Sequence, residues 1–174
     1  MKLLGVYFQD NLIKWNTDSS EMIKKAVKRL CFLTQLKRAK VPSSELAKFY
    51  VACIQYVLLY GCQVYHYSLP NYLSLSLERA RKKSLEIIYG YDNHYRDSLQ
   101  TARLKTLKDG REDLCLIFFF NSIVSNPLDC LYHLLSFDNR RQFMELRRRR
   151  PVRVSFKTNR FRDTFIPASA SHFN

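Results

Sequence analysis

The chain opens on a dense apolar run: Leu3, Leu4, Val6, Tyr7 and Phe8 crowd around Gly5. Partly β-branched and aromatic, with a glycine inside, such a run predicts a buried strand that another group approaches closely. Gln9, Asp10 and Asn11 supply turn chemistry, and Leu12, Ile13 and Trp15 form a shorter apolar stretch, so a β-hairpin is expected at the N-terminus. The period then changes. Asp18 and Glu21 have the spacing of a capping box, and Ile23, Ala26, Val27, Leu30, Leu33 and Thr34 fall on one stripe at helical spacing. Lys24, Lys25 and Lys28 project from the other side, and Phe32 falls among them.

Val41, Pro42, Ser43 and Ser44 break this helix, with Ser43 expected to cap the next. From Leu46 to Tyr67 the chain is apolar on nearly every side, as in the central helix of a bundle or a membrane span. Lys48, Gln55, Gln63 and the tyrosine hydroxyls favour the bundle. A third helix is predicted over 72–89, with Leu73, Leu77, Ala80, Ser84, Ile87 and Ile88 inward, Arg79, Lys82 and Glu86 outward, and Gly90 at its C-terminal left-handed position. A short helix over 95–102, a longer one over 106–124 and a brief one over 127–135 follow. Beyond Asn139 the pattern is lost to charge, except that Val152, Val154 and Phe156 alternate as in an edge strand. The expected fold is mainly α: a hairpin (1–17), a helical bundle (18–90), further helices (91–136) and a basic extension (137–174).

A formal charge of +14 favours a polyanionic partner, nucleic acid or an anionic membrane surface. Between Arg140 and Arg162 ten basic residues face one acid, Glu145. Arg147, Arg148, Arg149 and Arg150, followed by Arg153, Lys157, Arg160 and Arg162, suit phosphate binding, nuclear import or a solvated tail. On the helices, Lys24, Lys25, Lys28, Arg79 and Lys82 are the candidate phosphate contacts, and Phe32 a candidate stacking ring. Five cysteines without a CxxC pair indicate a reducing compartment, nuclear or cytoplasmic. No catalytic set is apparent: Glu112 and Asp113 lack a third acid or His, no Gly-rich phosphate loop occurs, and Cys115, Cys130 and His133 do not make a zinc pattern. No metal, cofactor or small-molecule substrate is expected.

The order LLGVYF, Leu12 to Trp15, IKKAVKRLCFL, FYVACIQYVLLYGCQVYH and LERARKKSLEII resembles the region after the catalytic palm in reverse transcriptases of non-LTR retrotransposons, the LINE and jockey-like transposable elements. The resemblance implies that Leu3, Leu4, Gly5 and Val6 form a primer-grip hairpin. It implies also that the helices form a thumb clasping RNA–DNA hybrid, and that the basic region handles template RNA or target DNA. The metal-holding aspartates of that RNA-directed DNA polymerase should precede Met1, so the chain is expected to be inactive without a palm. Departures stand at Asp18 and Ser19, at Gln55 and Tyr56, and at Tyr65, where the family shows His-Ile, Arg-Pro and Trp. The expected function is a nucleic-acid-binding fragment with RNA and DNA as partners. The alternatives are a membrane protein anchored by 46–67 and a helical protein-interaction module.

Overall fold

The apolar stripe of the first long segment makes it a helix with one buried edge. In a computed structural model, which describes residues 2–3, 6–7, 15–126, 131–135 and 164–172, α1 runs Asn16–Arg38 and buries Ser19, Met22, Ala26, Leu30 and Leu33. These lie three and four apart, the spacing that places side chains on one face. Val27, expected in that stripe, is exposed. At its C-terminus Val41 N–H donates to the Leu36 carbonyl at 3.2 Å and Lys40 N–H to that of Lys37 at 3.0 Å, with Lys40 at φ 60°. This is a Schellman closure.

The expected hairpin is corrected. Its second strand was to end at Trp15, but Trp15 is buried directly before α1 and its carbonyl accepts the Ser19 N–H at 3.0 Å. What pairing occurs lies inside the run expected to be one strand: β1 (Lys2–Leu3) and β2 (Val6–Tyr7) are antiparallel, with Leu3 opposite Val6. Two pairs cannot stabilise a sheet, and the helical residues dominate. The start of α1 also precedes the predicted capping box; Glu21 is engaged by Lys24 instead.

Two units divide the chain: residues 1–61 with 69–111, and 62–68 with 112–174. In the first, α2 (Ser43–Phe49) continues through a π-helical stretch, Tyr50–Gln55, into α3 (Tyr56–Leu59). Pro42, not Ser43, holds the N-cap position. The helix stops at Tyr60 and Gly61, where φ is 66°, and is therefore shorter than the 46–67 expected. Among the described residues no helix is long and apolar enough to cross a membrane, so the expected anchor helix over 46–67 is not supported.

After Pro70, α5 (Asn71–Tyr89) lies parallel to α1: Tyr72 hydroxyl donates to Asn16 near both N-termini, and Lys37 donates to the Ile88 carbonyl at 2.8 Å near both C-termini. Leu73, Leu77, Arg81, Ser84, Leu85 and Ile88 form its buried face. Gly90 has φ 101° and ψ 162°, a region only glycine reaches without strain, instead of the left-handed helical position expected. Then α6 (Tyr95–Thr101) packs on α5.

The second unit contains α4 (Cys62–Tyr65), a 3₁₀ turn at His66–Ser68 and the end of α7 (Leu107–Phe118), whose first residues belong to the first unit. A π-helical stretch Phe119–Val124, a 3₁₀ turn Tyr132–Leu134 and α8 (Phe165–Ser171) complete it. Phe119, Ile123, Leu135 and Ala170 form its core. The predicted edge strand at 152–157 lies outside the described residues.

Candidate nucleic-acid interface

Helix α1 buries one edge and turns its cations outward. Lys24, Lys25 and Lys28 are all exposed, as the periodicity predicts, and Phe32 is 58% exposed. At 100° per residue Phe32 lies about 20° from Lys25 around the helix, so ring and ammonium share one edge. Along that edge runs an open groove of about 450 Å³ between α1 and α3, lined by Glu21, Met22, Lys25, Arg29, Tyr56, Val57 and Tyr60. Tyr56 is 69% and Tyr60 55% exposed, although both were expected in the core of an all-round apolar helix. The π-helical stretch ends directly before Tyr56, and its wider turn changes the angle at which the following residues leave the axis. From within that stretch the Cys53 carbonyl accepts a hydrogen bond from the Arg29 guanidinium, which ties this lining residue of the groove to the π-helical stretch.

The cations are not equivalent. Lys24 donates to Glu21 at 2.8 Å, and that hydrogen bond holds the Glu21 carboxyl below its ordinary range. Lys82 approaches Glu86 at 3.9 Å. Exposed pairs of this kind contribute little, roughly 0–1 kcal/mol, and exchange readily for phosphate. Lys25 and Lys28 are the exposed cations beside the aromatic edge. Arg79 and Lys82 lie on the solvent face of α5 and are not among the described lining of the groove. Arg147, Arg148, Arg149, Arg150, Arg153, Lys157, Arg160 and Arg162 lie outside the described residues, as do Leu4 and Gly5. Leu3 and Val6 pair with each other across the short ladder. Cys130 is likewise outside, and no metal-binding group of His, Cys, Asp and Glu occurs among the described residues.

Two arginines that the sequence reading passed over are buried. Arg81 is 2% and Arg111 1% exposed. Each stands four residues after a buried leucine, Leu77 or Leu107, and four before another buried residue, Leu85 or Cys115, which is the signal that was available. Arg111 donates to Ser74 Oγ at 2.7 Å. Arg81 shares its surroundings with Tyr50, Glu78 and Tyr95. Glu78 accepts from the Tyr95 hydroxyl and, at 3.0 Å, from the Leu107 N–H that opens α7. Burial pushes the Tyr50 hydroxyl up to about 12, with Arg81 partly offsetting it and Glu78 adding to it. Burial, followed by the hydrogen bond to Glu78, raises Tyr95 as well.

Tyr50 gives a pH prediction. Its hydroxyl has no hydrogen-bond partner among the described residues. An unfolded tyrosine ionises near 10, whereas the folded one keeps its proton to about 12. Between those values the unfolded chain binds fewer protons, so stability present below pH 10 is lost as pH rises, by up to about 1.4 kcal/mol per pH unit. Tyr50→Phe removes this dependence and also an unsatisfied buried hydroxyl. Urea titrations at pH 8 and 11 are expected to show the variant equal to or up to about 1 kcal/mol above the parent at pH 8. At pH 11 its advantage is expected to widen; an unchanged difference would show that Tyr50 ionises freely.

Comparison with known proteins yields one family model, described as Alkylated DNA repair protein alkB homolog 8, N-terminal, which matches residues 15–55. The match covers α1, α2 and the π-helical stretch, well under half of the chain. No curated protein matches, and no solved structure does. The resemblance to a retrotransposon reverse transcriptase is therefore corrected: the matching family is a different one, and the thumb and primer-grip roles fall with it. Apolar runs followed by capped basic helices arise from periodicity alone in many helical proteins, so their order was weak evidence of kinship.

Proposed function

We propose that the first unit is a nucleic-acid-binding helical module that takes RNA or DNA with accessible bases along the α1–α3 groove. The observation that supports it is the placement of two exposed rings, Tyr56 and Tyr60, beside Lys25 and Arg29 in the groove lining, with the exposed Lys28 and Phe32 on the same outward side of α1 by helical spacing. Lysine and arginine neutralise phosphates, while aromatic faces stack on bases of any identity. Such a surface binds without reading sequence, and no catalytic step is assigned to it. The family model over residues 15–55 is named for a DNA repair protein, a nucleic-acid setting consistent with this reading. No disulfide joins Cys31, Cys53, Cys62 or Cys115, and a nuclear or cytoplasmic site of action goes with the proposal.

Anisotropy titrations of labelled single-stranded RNA, single-stranded DNA, RNA–DNA hybrid and duplex DNA across a salt series test the proposal. Single strands are expected to bind best, with log Kd linear in log salt. Lys25→Gln with Lys28→Gln is expected to flatten the single-strand slope by about 1.4, two contacts at roughly 0.7 each. Tyr56→Ala is expected to weaken single strands by about 1–3 kcal/mol and leave the salt slope in place. Absence of binding at low salt, or a slope indifferent to the lysine pair, overturns the proposal.

A further inference from the structure

A second, smaller recess of about 220 Å³ opens in the same unit at the start of α7, lined by Gln55, Arg81, Arg103, Lys105, Thr106 and Leu107 among others. It is below the size of a nucleoside or drug-like ligand, and among the described residues its charged lining is Arg81, Arg103 and Lys105. From these observations we infer that the recess is a binding site for a single phosphoryl oxyanion.

Arg81 points to a ligand most directly. It lines the recess, is almost wholly buried, forms no ion pair among the described residues, and its Nε has no hydrogen-bond partner there. A guanidinium is not retained in a protein interior without compensating charge, because removing an ion from water costs several kcal/mol. Glu78, one turn earlier on α5, lies close enough to share its field but spends its oxygens on Tyr95 and the Leu107 N–H. An oxyanion in the recess supplies what is missing, accepting from the guanidinium fork as phosphate does.

Arg103 adds the second half of the clamp. Leu104 N–H donates to the Leu99 carbonyl at 2.9 Å and Arg103 N–H to that of Gln100 at 3.0 Å, a Schellman closure of α6 that sets Arg103 at φ 53°. Glycine is the favoured residue there, so the arginine is held at a conformational cost and its charge is delivered to the recess. The start of α7 contributes its dipole; Glu78 accepts from the Leu107 N–H at 3.0 Å, and Thr106 accepts from Asp109 through its Oγ1 at 3.2 Å and from Gly110 through its carbonyl at 2.9 Å. The anion is thus held by side chains. These residues differ from those of the α1–α3 groove, so the inference stands apart from the proposed nucleic-acid surface.

Thermal melting of the full chain in inorganic phosphate, against sodium chloride of equal ionic strength, is the test. Phosphate at about twenty times its Kd is expected to raise Tm by about 4 °C over chloride. Arg103→Gly separates site from scaffold: it relieves the backbone and is expected to raise Tm without phosphate, while most of the phosphate increment disappears. Arg103→Gln with Lys105→Gln is expected to lose the increment too, and Arg81→Gln reports on the buried arm if it folds. Two sources are distinguished by competition. A 5′-phosphorylated dinucleotide that outcompetes inorganic phosphate, when its unphosphorylated form does not, assigns a nucleic-acid end; equal competition by the phosphorylated form assigns the free anion. An increment equal in chloride, or one that survives intact in Arg103→Gly, overturns the inference.

Discussion

Replacing Glu78 by Ala is expected to cost about 3 kcal/mol or more, among the largest effects of any single change in the first unit. Its carboxylate accepts from the Tyr95 hydroxyl and from the Leu107 N–H, tying α5 to α6 and to the start of α7. Hydrogen bonds to a charged acceptor contribute roughly 1.5–3 kcal/mol each, and removing the acceptor leaves two partly buried donors unsatisfied. The change also deletes a negative charge from the surroundings that the buried Arg81 shares with Tyr50 and Tyr95. Glu78→Gln retains one acceptor oxygen and is expected to recover about half of the loss, because a neutral amide accepts more weakly. Urea denaturation of the two variants at pH 7 measures this. A loss under about 1 kcal/mol for the alanine variant would show that water replaces the carboxylate without cost.

Phe119→Ala is the corresponding change in the second unit, with an expected loss of about 3–5 kcal/mol. The ring is fully buried and meets Phe165 with centroids 6.1 Å apart at 75°, and Phe120 at 5.7 Å and 86°. Both are edge-to-face arrangements, which add to simple burial. Ile123, Leu135 and Ala170 close around it, so the ring's removal leaves a cavity the backbone cannot collapse into. Phe119→Leu fills most of that space and is expected to cost under about 1.5 kcal/mol. Equal losses for the two variants would show that aromatic geometry, and not volume, sets the stability of this cluster.

Helix α5 was legible to within a residue: Pro70 and Gly90 bound it, and Leu73, Leu77 and Ile88 mark its inner face. These signals are local, and local signals survive folding. The helix begun at Ser43 was legible in kind but not in extent, because the turn at Gly61 looks from sequence like a tolerated interior glycine. Its exposed face was hidden for another reason: Tyr56 and Tyr60 have apolar rings and polar tips, and tyrosine suits a core or a wet edge equally. The N-terminal run was misjudged because apolar, β-prone residues imply pairing but do not say with what. Of the candidate surface, Lys25 in the groove and Phe32 further along α1 could be found from periodicity. Arg29, Tyr56 and Tyr60 join them only once α1 and α3 pack, which no single-helix pattern encodes. The buried arginines sat in plain view at core positions, but a charge there reads as a break in the stripe unless its neighbours are known.

The side-by-side, same-direction arrangement of α1 and α5 has a consequence for how the molecule is made. Two helices running the same way must be joined by a connection that returns the full length of the first, and here α2, α3 and α4 lie within it. Leu30 and Leu33 therefore wait until the ribosome has delivered residues some fifty positions later before their shielding is complete. Closing so long a loop is slow relative to forming either helix. The segment 15–55, though it matches a known family model, ends before α5, which packs along α1. Expressed by itself it would leave its inner stripe open to water, so this stretch is an ingredient of a fold and not a fold.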